Sequence, residues 1–228
     1  GIEVAGIDCH IGSQITDIDP YIDAVDRLLD LVEAVEASGI PIHHVDMGGG
    51  LGITYTDETP PSAEALLGAV LARMDQRGHG QREILLEPGR SLVGNAGVLL
   101  TEVLYLKPGE QKNFCIVDAA MNDMVRPAMY EAWMAIVPCE QRDVAAERWD
   151  IVGPVCESGD WIGRDRDLAV QQGDVLAVLS AGAYGFAMSS NYNSRARAAE
   201  VMIDGDQVHL IRARESLTDL YALERLIP

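Results

Sequence analysis

Apolar positions in the first part of the chain change period from segment to segment. A short apolar run over residues 4–11 is followed by Ile22, Val25, Leu28, Leu29, Val32 and Val35, whose spacings of three and four predict an amphipathic helix over 21–37. Gly39 and Pro41 stop that helix, residues 42–47 read as a second strand, and Gly48-Gly49-Gly50-Leu51-Gly52 follows at once. Ser62 caps a helix reaching about Arg77, with Glu64 and Ala65 in its first turn and Leu66, Leu67, Val70, Leu71 and Met74 on one face. A third strand over 83–86 ends at Glu87-Pro88-Gly89-Arg90. Strands alternating with helices predict a parallel sheet with right-handed helical crossovers, as in a doubly wound sheet or a barrel.

From Val98 the texture becomes β-rich, with strands expected over 98–106, 114–118, 150–155, 174–179, 200–203 and 208–212. Pro108-Gly109 and Asp204-Gly205-Asp206 punctuate them as turns, which predicts an antiparallel sheet or barrel. Helical interruptions are expected over 124–133 and over 218–226, the latter as a closing amphipathic helix.

Composition narrows the partners. The 228 residues allow one large domain or two modest ones. A formal charge of −19 excludes a nucleic-acid backbone or an anionic membrane surface as a general partner. No run approaches the roughly 20 apolar residues of a membrane span, and Gly1-Ile2-Glu3-Val4 has no basic n-region, so the expectation is a soluble, cytoplasmic protein. Cys9, Cys115, Cys139 and Cys156 lie far apart without a C-x-x-C pair, which favours free thiols over a disulfide framework or a zinc site.

Polar or glycine-rich residues directly follow each of the first three strands, and in parallel α/β folds such carboxyl ends converge on the ligand. The Gly48–Gly50 loop suits a phosphate cradled by backbone amides, or equally a plain tight turn; it is neither a P-loop nor a G-x-G-x-x-G motif. Glu87 and Arg90 form either a salt bridge beside a turn or a paired carboxylate and guanidinium in a site. Arg126 and Tyr130 share a helix face as an exposed pair or as a fork for a substrate carboxylate. Cys156 is an inert thiol or a proton donor, with Glu157 beside it. Tyr184, with Gly182 and Gly185 near it, is open to close approach by a ligand, and His10 is a strand-end histidine or a ligand contact. His43, His44, His79 and His209 are unclustered and suggest no metal set.

The order of these segments carries a resemblance. Cys9-His10-Ile11-Gly12-Ser13-Gln14, Asp46-Met47-Gly48-Gly49-Gly50-Leu51-Gly52, Glu87-Pro88-Gly89-Arg90, Asp118-Ala119-Ala120-Met121-Asn122, Arg126-Pro127-Ala128-Met129-Tyr130, Cys156-Glu157-Ser158-Gly159-Asp160, Gly182-Ala183-Tyr184-Gly185 and Met188-Ser189-Ser190-Asn191-Tyr192-Asn193 follow one another as in the fold type III pyridoxal-phosphate decarboxylases, which this chain resembles over essentially its whole length. Asn191-Tyr192-Asn193-Ser194-Arg195 favours the diaminopimelate branch over ornithine or arginine decarboxylases. The resemblance implies the last portion of a (β/α)8 TIM-like barrel over 1–97 and an antiparallel β-sandwich or barrel domain over 98–228. It implies pyridoxal 5′-phosphate as cofactor, with His10 stacking on its ring, Ser13, Gly48, Gly49 and Gly50 binding its phosphate, Glu87 facing its ring nitrogen, and Pro88, Gly89, Arg90 and Tyr184 also lining it. Arg90, Arg126, Tyr130, Glu157 and Tyr184 would hold the substrate, with Cys156 as proton donor and Glu157 beside it. The reaction implied is decarboxylation of meso-2,6-diaminopimelate to L-lysine and carbon dioxide, in a homodimer with shared active sites to which Cys156 and Glu157 come from the partner subunit.

The family anchors its cofactor on a lysine in the early barrel, whereas the lysines here are Lys107 and Lys112, both beyond the barrel-type strands. By the family pattern this is the carboxy-terminal part of a longer or split enzyme. The alternatives are a related decarboxylase acting on ornithine, arginine, lysine or carboxynorspermidine, and a non-catalytic fragment or pseudo-enzyme.

Overall fold

A computed structural model describes residues 1–227, so Pro228, the last residue of the expected second domain, lies outside the described residues. The chain divides into two compact units, Gly1–Asn95 and Ala96–Pro228.

The first unit alternates β1 (Gly6–Asp8), α1 (Asp19–Ala37), β2 (His44–Asp46), α2 (Ala63–Gln76), β3 (Glu83–Leu85) and the short α3 (Arg90–Val93). The sheet order is β1-β2-β3, with both pairings parallel. Pro20 stands in the first turn of helix α1, where its fixed φ suits the helix, and Gly39 in the left-handed region (φ 89°) ends it. The Ser62 hydroxyl accepts from the Ala65 amide and starts α2 where the sequence places it. Tyr21, Val25, Leu28, Leu29 and Val32 of α1 pack with Val45 and Met47 and with Leu66, Val70 and Met74 of α2 into one core. Each fully buried side chain of this kind contributes about 1.5–3 kcal/mol. Leu67 and Leu71, expected on that face, are exposed. The buried stripe follows the spacing of four from Leu66, and the two leucines sit one position round the helix from it.

A charged seam joins α1 to α2. Arg73 and Arg77 grip Asp26, Arg77 also reaches Asp30 and Glu33, and Arg82 pairs with Glu36. Asp26, Glu33 and Glu36 are held below the usual carboxylate range, first by hydrogen bonds from Arg73, His79 and the Ile42 amide respectively. A carboxyl lowered in the folded state stabilises above its unfolded value and loses that contribution as the pH falls through it. Melting temperature is therefore expected to drop as the pH goes from about 5 to about 3. The drop should be shallower in Arg77→Gln; identical slopes for both proteins would refute the assignment.

The second unit is built on β4 (Leu99–Lys107), β5 (Phe114–Val117), β6 (Ile136–Pro138), β7 (Glu147–Val152), β8 (Trp161–Leu168) and β9 (Val175–Val178), in the order β6-β9-β4-β5-β7-β8. The sheet is mixed rather than antiparallel as expected. β5 and β7 run parallel, because the chain between them crosses over through α4 (Arg126–Tyr130) and β6 instead of turning back in a hairpin. The end strands approach each other: a Cβ at Gly163 of β8 would stand 2.7 Å from Ile136 Cδ1 of β6, and Arg166 Nη2 donates to the Met134 carbonyl at 3.1 Å. The sheet thus nearly closes into a barrel around Val103, Val117, Ile151, Ile162, Leu176 and Val178. Cys115 lies in that core, where burial pushes its thiol up to about 12, and all four cysteines are free.

Strands β6 and β8 escape the sequence pattern, β6 for its brevity and β8 because Arg164-Asp165-Arg166-Asp167 breaks any apolar alternation. The helix expected over 124–133 shrinks to α4, ended by Glu131 in the left-handed region (φ 52°). The closing helix expected over 218–226 is one 3₁₀ turn, Leu217–Leu220, with a Ser216–Asp219 capping box. Its apolar residues Leu217, Leu223 and Leu226 are exposed, so no burial rewards a longer helix. A hairpin, β10 (Glu200–Asp204) with β11 (Gln207–Arg212), turns through Gly205 at positive φ. Among the described residues, no helix is long and apolar enough to cross a membrane.

Candidate active site

The carboxyl ends of β1, β2 and β3 are laced by backbone bonds one step beyond each strand. Cys9 donates to the Asp46 carbonyl at 3.0 Å, Met47 to Leu85 at 3.0 Å, and Glu87 to Gly48 at 2.8 Å. The lacing leaves no space for side chains in the glycine loop. A Cβ on Gly48 would sit 2.5 Å from the Cys9 carbonyl oxygen, one on Gly49 2.3 Å from that of Glu87, and one on Gly50 2.3 Å from that of Gly12. Gly48 and Gly50 also adopt φ of 65° and 96°, which glycine alone adopts freely. The buried Tyr21 hydroxyl supports the loop by donating to the Gly49 carbonyl at 3.1 Å, a contact hidden in the sequence behind the helical periodicity. The Gly49 amide donates to His10 Nδ1 at 3.4 Å, seating the imidazole against the loop.

Two groups of opposite charge gather at these strand ends. Arg90, at the start of α3, donates through Nη2 to Ser13 Oγ at 2.8 Å and through Nη1 to the Tyr55 hydroxyl. Tyr55 belongs to a turn tied down by Glu58, whose carboxylate is held at about 2 by backbone amides, Thr56 foremost. The second group is the trio Asp8, Asp46 and Glu87, with carboxylate oxygens within 4.8 Å of one another. Burial, then the charges of Asp8 and Asp46, raises the Cys9 thiol. A guanidinium with a hydroxyl favours a polyanion, and three carboxylates favour a protonated nitrogen. Glu87 and Arg90 stand out in the sequence, whereas Asp8, Tyr21 and Tyr55 look there like ordinary strand, helix and loop residues, and Asp46 appears only as the first residue of the glycine motif.

In the second unit, buried Asp160 shapes the loop that carries Cys156 and Glu157: its oxygens accept from Met121 and Val155 amides, each at 2.7 Å. Cys156 and Glu157 stand exposed on that loop, and Glu157 meets the Tyr192 hydroxyl. Arg126 and Tyr130 sit on the one turn of α4 but part company in burial: Arg126 is 8% exposed, with Nη1 3.2 Å from Met134 Sδ, whereas Tyr130 is 60% exposed. Tyr184 is held at φ 59°, before a Gly185 whose Cβ would stand 2.3 Å from the Ala181 carbonyl oxygen. Lys112 is engaged with Asp150 Oδ2 at 2.7 Å, and Lys107 ends β4. Within the first unit, His10, Ser13, the glycine loop, Glu87 and Arg90 come together as expected from the order of strand ends.

The model of the C-terminal sheet domain of pyridoxal-dependent decarboxylases matches residues 11–182. This chain belongs to the pyridoxal-dependent decarboxylases. A curated relative from Pseudomonas aeruginosa, named diaminopimelate decarboxylase, is 56% identical over 228 residues, covering 100% of this chain and 54% of the relative. A crystal structure from Aquifex aeolicus superposes with a TM-score of 0.93 at 47% identity, over 99% of this chain and 56% of that one. A crystal structure of diaminopimelate decarboxylase from M. jannaschii in complex with L-lysine gives 0.93 at 43% identity, over 99% and 52%. The chain spans about half the length of the curated relatives it matches. The donor set of this pyridoxal-dependent family member fits the cofactor: Arg90, Ser13 and the close-packed glycine loop suit its phosphate, and the Asp8, Asp46 and Glu87 carboxylates suit a protonated pyridine nitrogen.

Proposed function

We propose that this chain forms the carboxy-terminal half of an enzyme that decarboxylates meso-2,6-diaminopimelate to L-lysine, with residues 1–97 completing a cofactor-binding barrel and residues 98–228 forming the β-rich domain. The observation that carries it is the joint placement of Arg90 with Ser13, beside a glycine loop closed to any side chain, and of a carboxylate trio, at the same strand ends. Bound there, pyridoxal phosphate supplies the protonated ring that withdraws electrons from the substrate carbon as carbon dioxide leaves. Glu87, with Asp8 and Asp46 beside it, keeps a proton on the ring nitrogen. Ser13, Arg90 and the Gly48–Gly50 loop hold the phosphate, and His10 packs on the ring. Pro88 and Gly89 bring the chain round so that Glu87 and Arg90 serve the same cofactor, and Tyr184 closes on phosphate and substrate.

The substrate carries a carboxylate and an ammonium remote from the reacting carbon, and this chain holds one group for each. Arg126, with Tyr130 on the same turn, binds the distal carboxylate, and Glu157 accepts the distal ammonium. Cys156 delivers the proton to the carbon that loses carbon dioxide. The working enzyme is a homodimer in which Cys156 and Glu157 of one subunit serve the site of the other, and it works in the cytoplasm. The full-length enzyme, assayed with pyridoxal phosphate on diaminopimelate, ornithine, arginine and carboxynorspermidine in parallel, should release carbon dioxide fastest from diaminopimelate. Equal or faster turnover of a substrate without the distal carboxylate would replace this reading with that of a related decarboxylase.

A further inference from the structure

Glu157 is held in a way that its role as ammonium acceptor does not by itself require. The Gly159 amide donates to Oε1 at 3.2 Å and the Tyr192 hydroxyl to Oε2 at 3.3 Å. With one donor on each oxygen, the plane of the carboxylate is set while lone pairs stay open for a further donor.

The segment bearing Tyr192 is strained and tightly braced. Asn193 (φ 61°) and Ser194 (φ 54°) are consecutive non-glycine residues in the left-handed region, a conformation that persists only where the surroundings enforce it. Arg195 enforces it on one side, giving Nε to Asn122 Oδ1 at 2.8 Å and Nη2 to the Asp118 carbonyl at 2.6 Å. On the other side the Asn191 amide group bonds Glu215 Oε2 at 2.6 Å, and Ser190 exchanges bonds with buried Asn122. Tyr192 itself remains 46% exposed. Burial therefore does little to explain an aromatic ring at the centre of this clamp, whereas its hydroxyl has a defined target.

We propose that Tyr192 is a positioning residue that sets specificity for the distal amine of the substrate by orienting the Glu157 carboxylate. This rests on the reading of Glu157 as the ammonium acceptor. A carboxylate fixed in plane loses little freedom when the ammonium arrives, and one released by loss of the hydroxyl must be ordered at that moment. A substrate without the distal amine gains nothing from the arrangement.

The test compares diaminopimelate with 2-aminopimelate, which keeps both carboxylates and lacks the distal amine, in holoenzyme carrying Tyr192→Phe or Glu157→Gln. For Tyr192→Phe, KM for diaminopimelate should rise about fivefold, the order of one ordinary net hydrogen bond, with kcat nearly unchanged. Kinetics with 2-aminopimelate should be unaltered. Equal losses on both substrates, or no loss on either, overturn the proposal. If Glu157→Gln abolishes the preference for diaminopimelate and Tyr192→Phe leaves it whole, the positioning role alone is wrong; if Glu157→Gln leaves the preference whole, both it and the underlying reading fall.

Discussion

Gly49→Ala is expected to weaken pyridoxal phosphate binding at least about tenfold and to destabilise the protein by roughly 2–3 kcal/mol. The added methyl would lie 2.3 Å from the carbonyl oxygen of Glu87, and the clashing atom is backbone, so no rotamer change relieves it. Relief requires the β2 and β3 exits to part, which breaks the Glu87–Gly48 backbone bond and moves both the glycine loop and the Glu87 carboxylate. One substitution thus disturbs both groups proposed to hold the cofactor. Gly68→Ala provides the opposite sign: nothing lies within 4 Å of its would-be Cβ, it sits inside α2, and the exchange should stabilise by about 1 kcal/mol. Cofactor titration by absorbance and denaturant unfolding of both variants measure these effects. A Gly49→Ala enzyme with native affinity would mean that the glycine loop does not approach the cofactor.

The second large effect is expected at Arg126. In the full-length enzyme Arg126→Ala should lower kcat/KM for diaminopimelate by about 10²-fold or more, the order of two lost charge-assisted hydrogen bonds. A lysine at this position should recover little, since a point charge cannot present a planar fork to a carboxylate. The guanidinium is buried and touches Met134 Sδ, so removing it also leaves a cavity, and a melting curve must accompany the kinetics. Pyridoxal phosphate affinity, which does not depend on the distal carboxylate, separates the two contributions: a loss of affinity alongside turnover reports damage to the fold. Diaminopimelate turnover within about threefold of the parent would remove Arg126 from the substrate site.

Much of the first unit could be written down from periodicity. Spacings of three and four placed α1, Ser62 placed the start of α2, and the strand ends followed from where apolar runs gave way to glycine and charge. These features are local: helix period, capping and turn chemistry act over a few residues, so a linear reading reaches them. Of the residues that combine at the strand ends, His10, the glycine loop, Glu87 and Arg90 were legible as candidates because a parallel sheet brings consecutive exits side by side, whereas Ser13 entered only through the family resemblance.

What stayed hidden depends on contacts between residues far apart in the chain. Tyr21 reads as one more apolar position of α1 until its hydroxyl is seen on the Gly49 carbonyl, and Asp8 and Asp46 become a trio with Glu87 only after three strands align. The β5–β7 pairing runs parallel because of a crossover whose path no local propensity encodes, and the short β6 exists because β9 offers it a partner. Tyr192 was part of a recognised segment, yet its role needed the fold to bring Glu157 within reach and Arg195 to hold a strained loop in place. Periodicity and local turn chemistry specify which elements form and where polar chemistry clusters along the chain. Which hydroxyl meets which carboxylate is settled by packing, because the free energy that orients one side chain against another comes from residues tens of positions away.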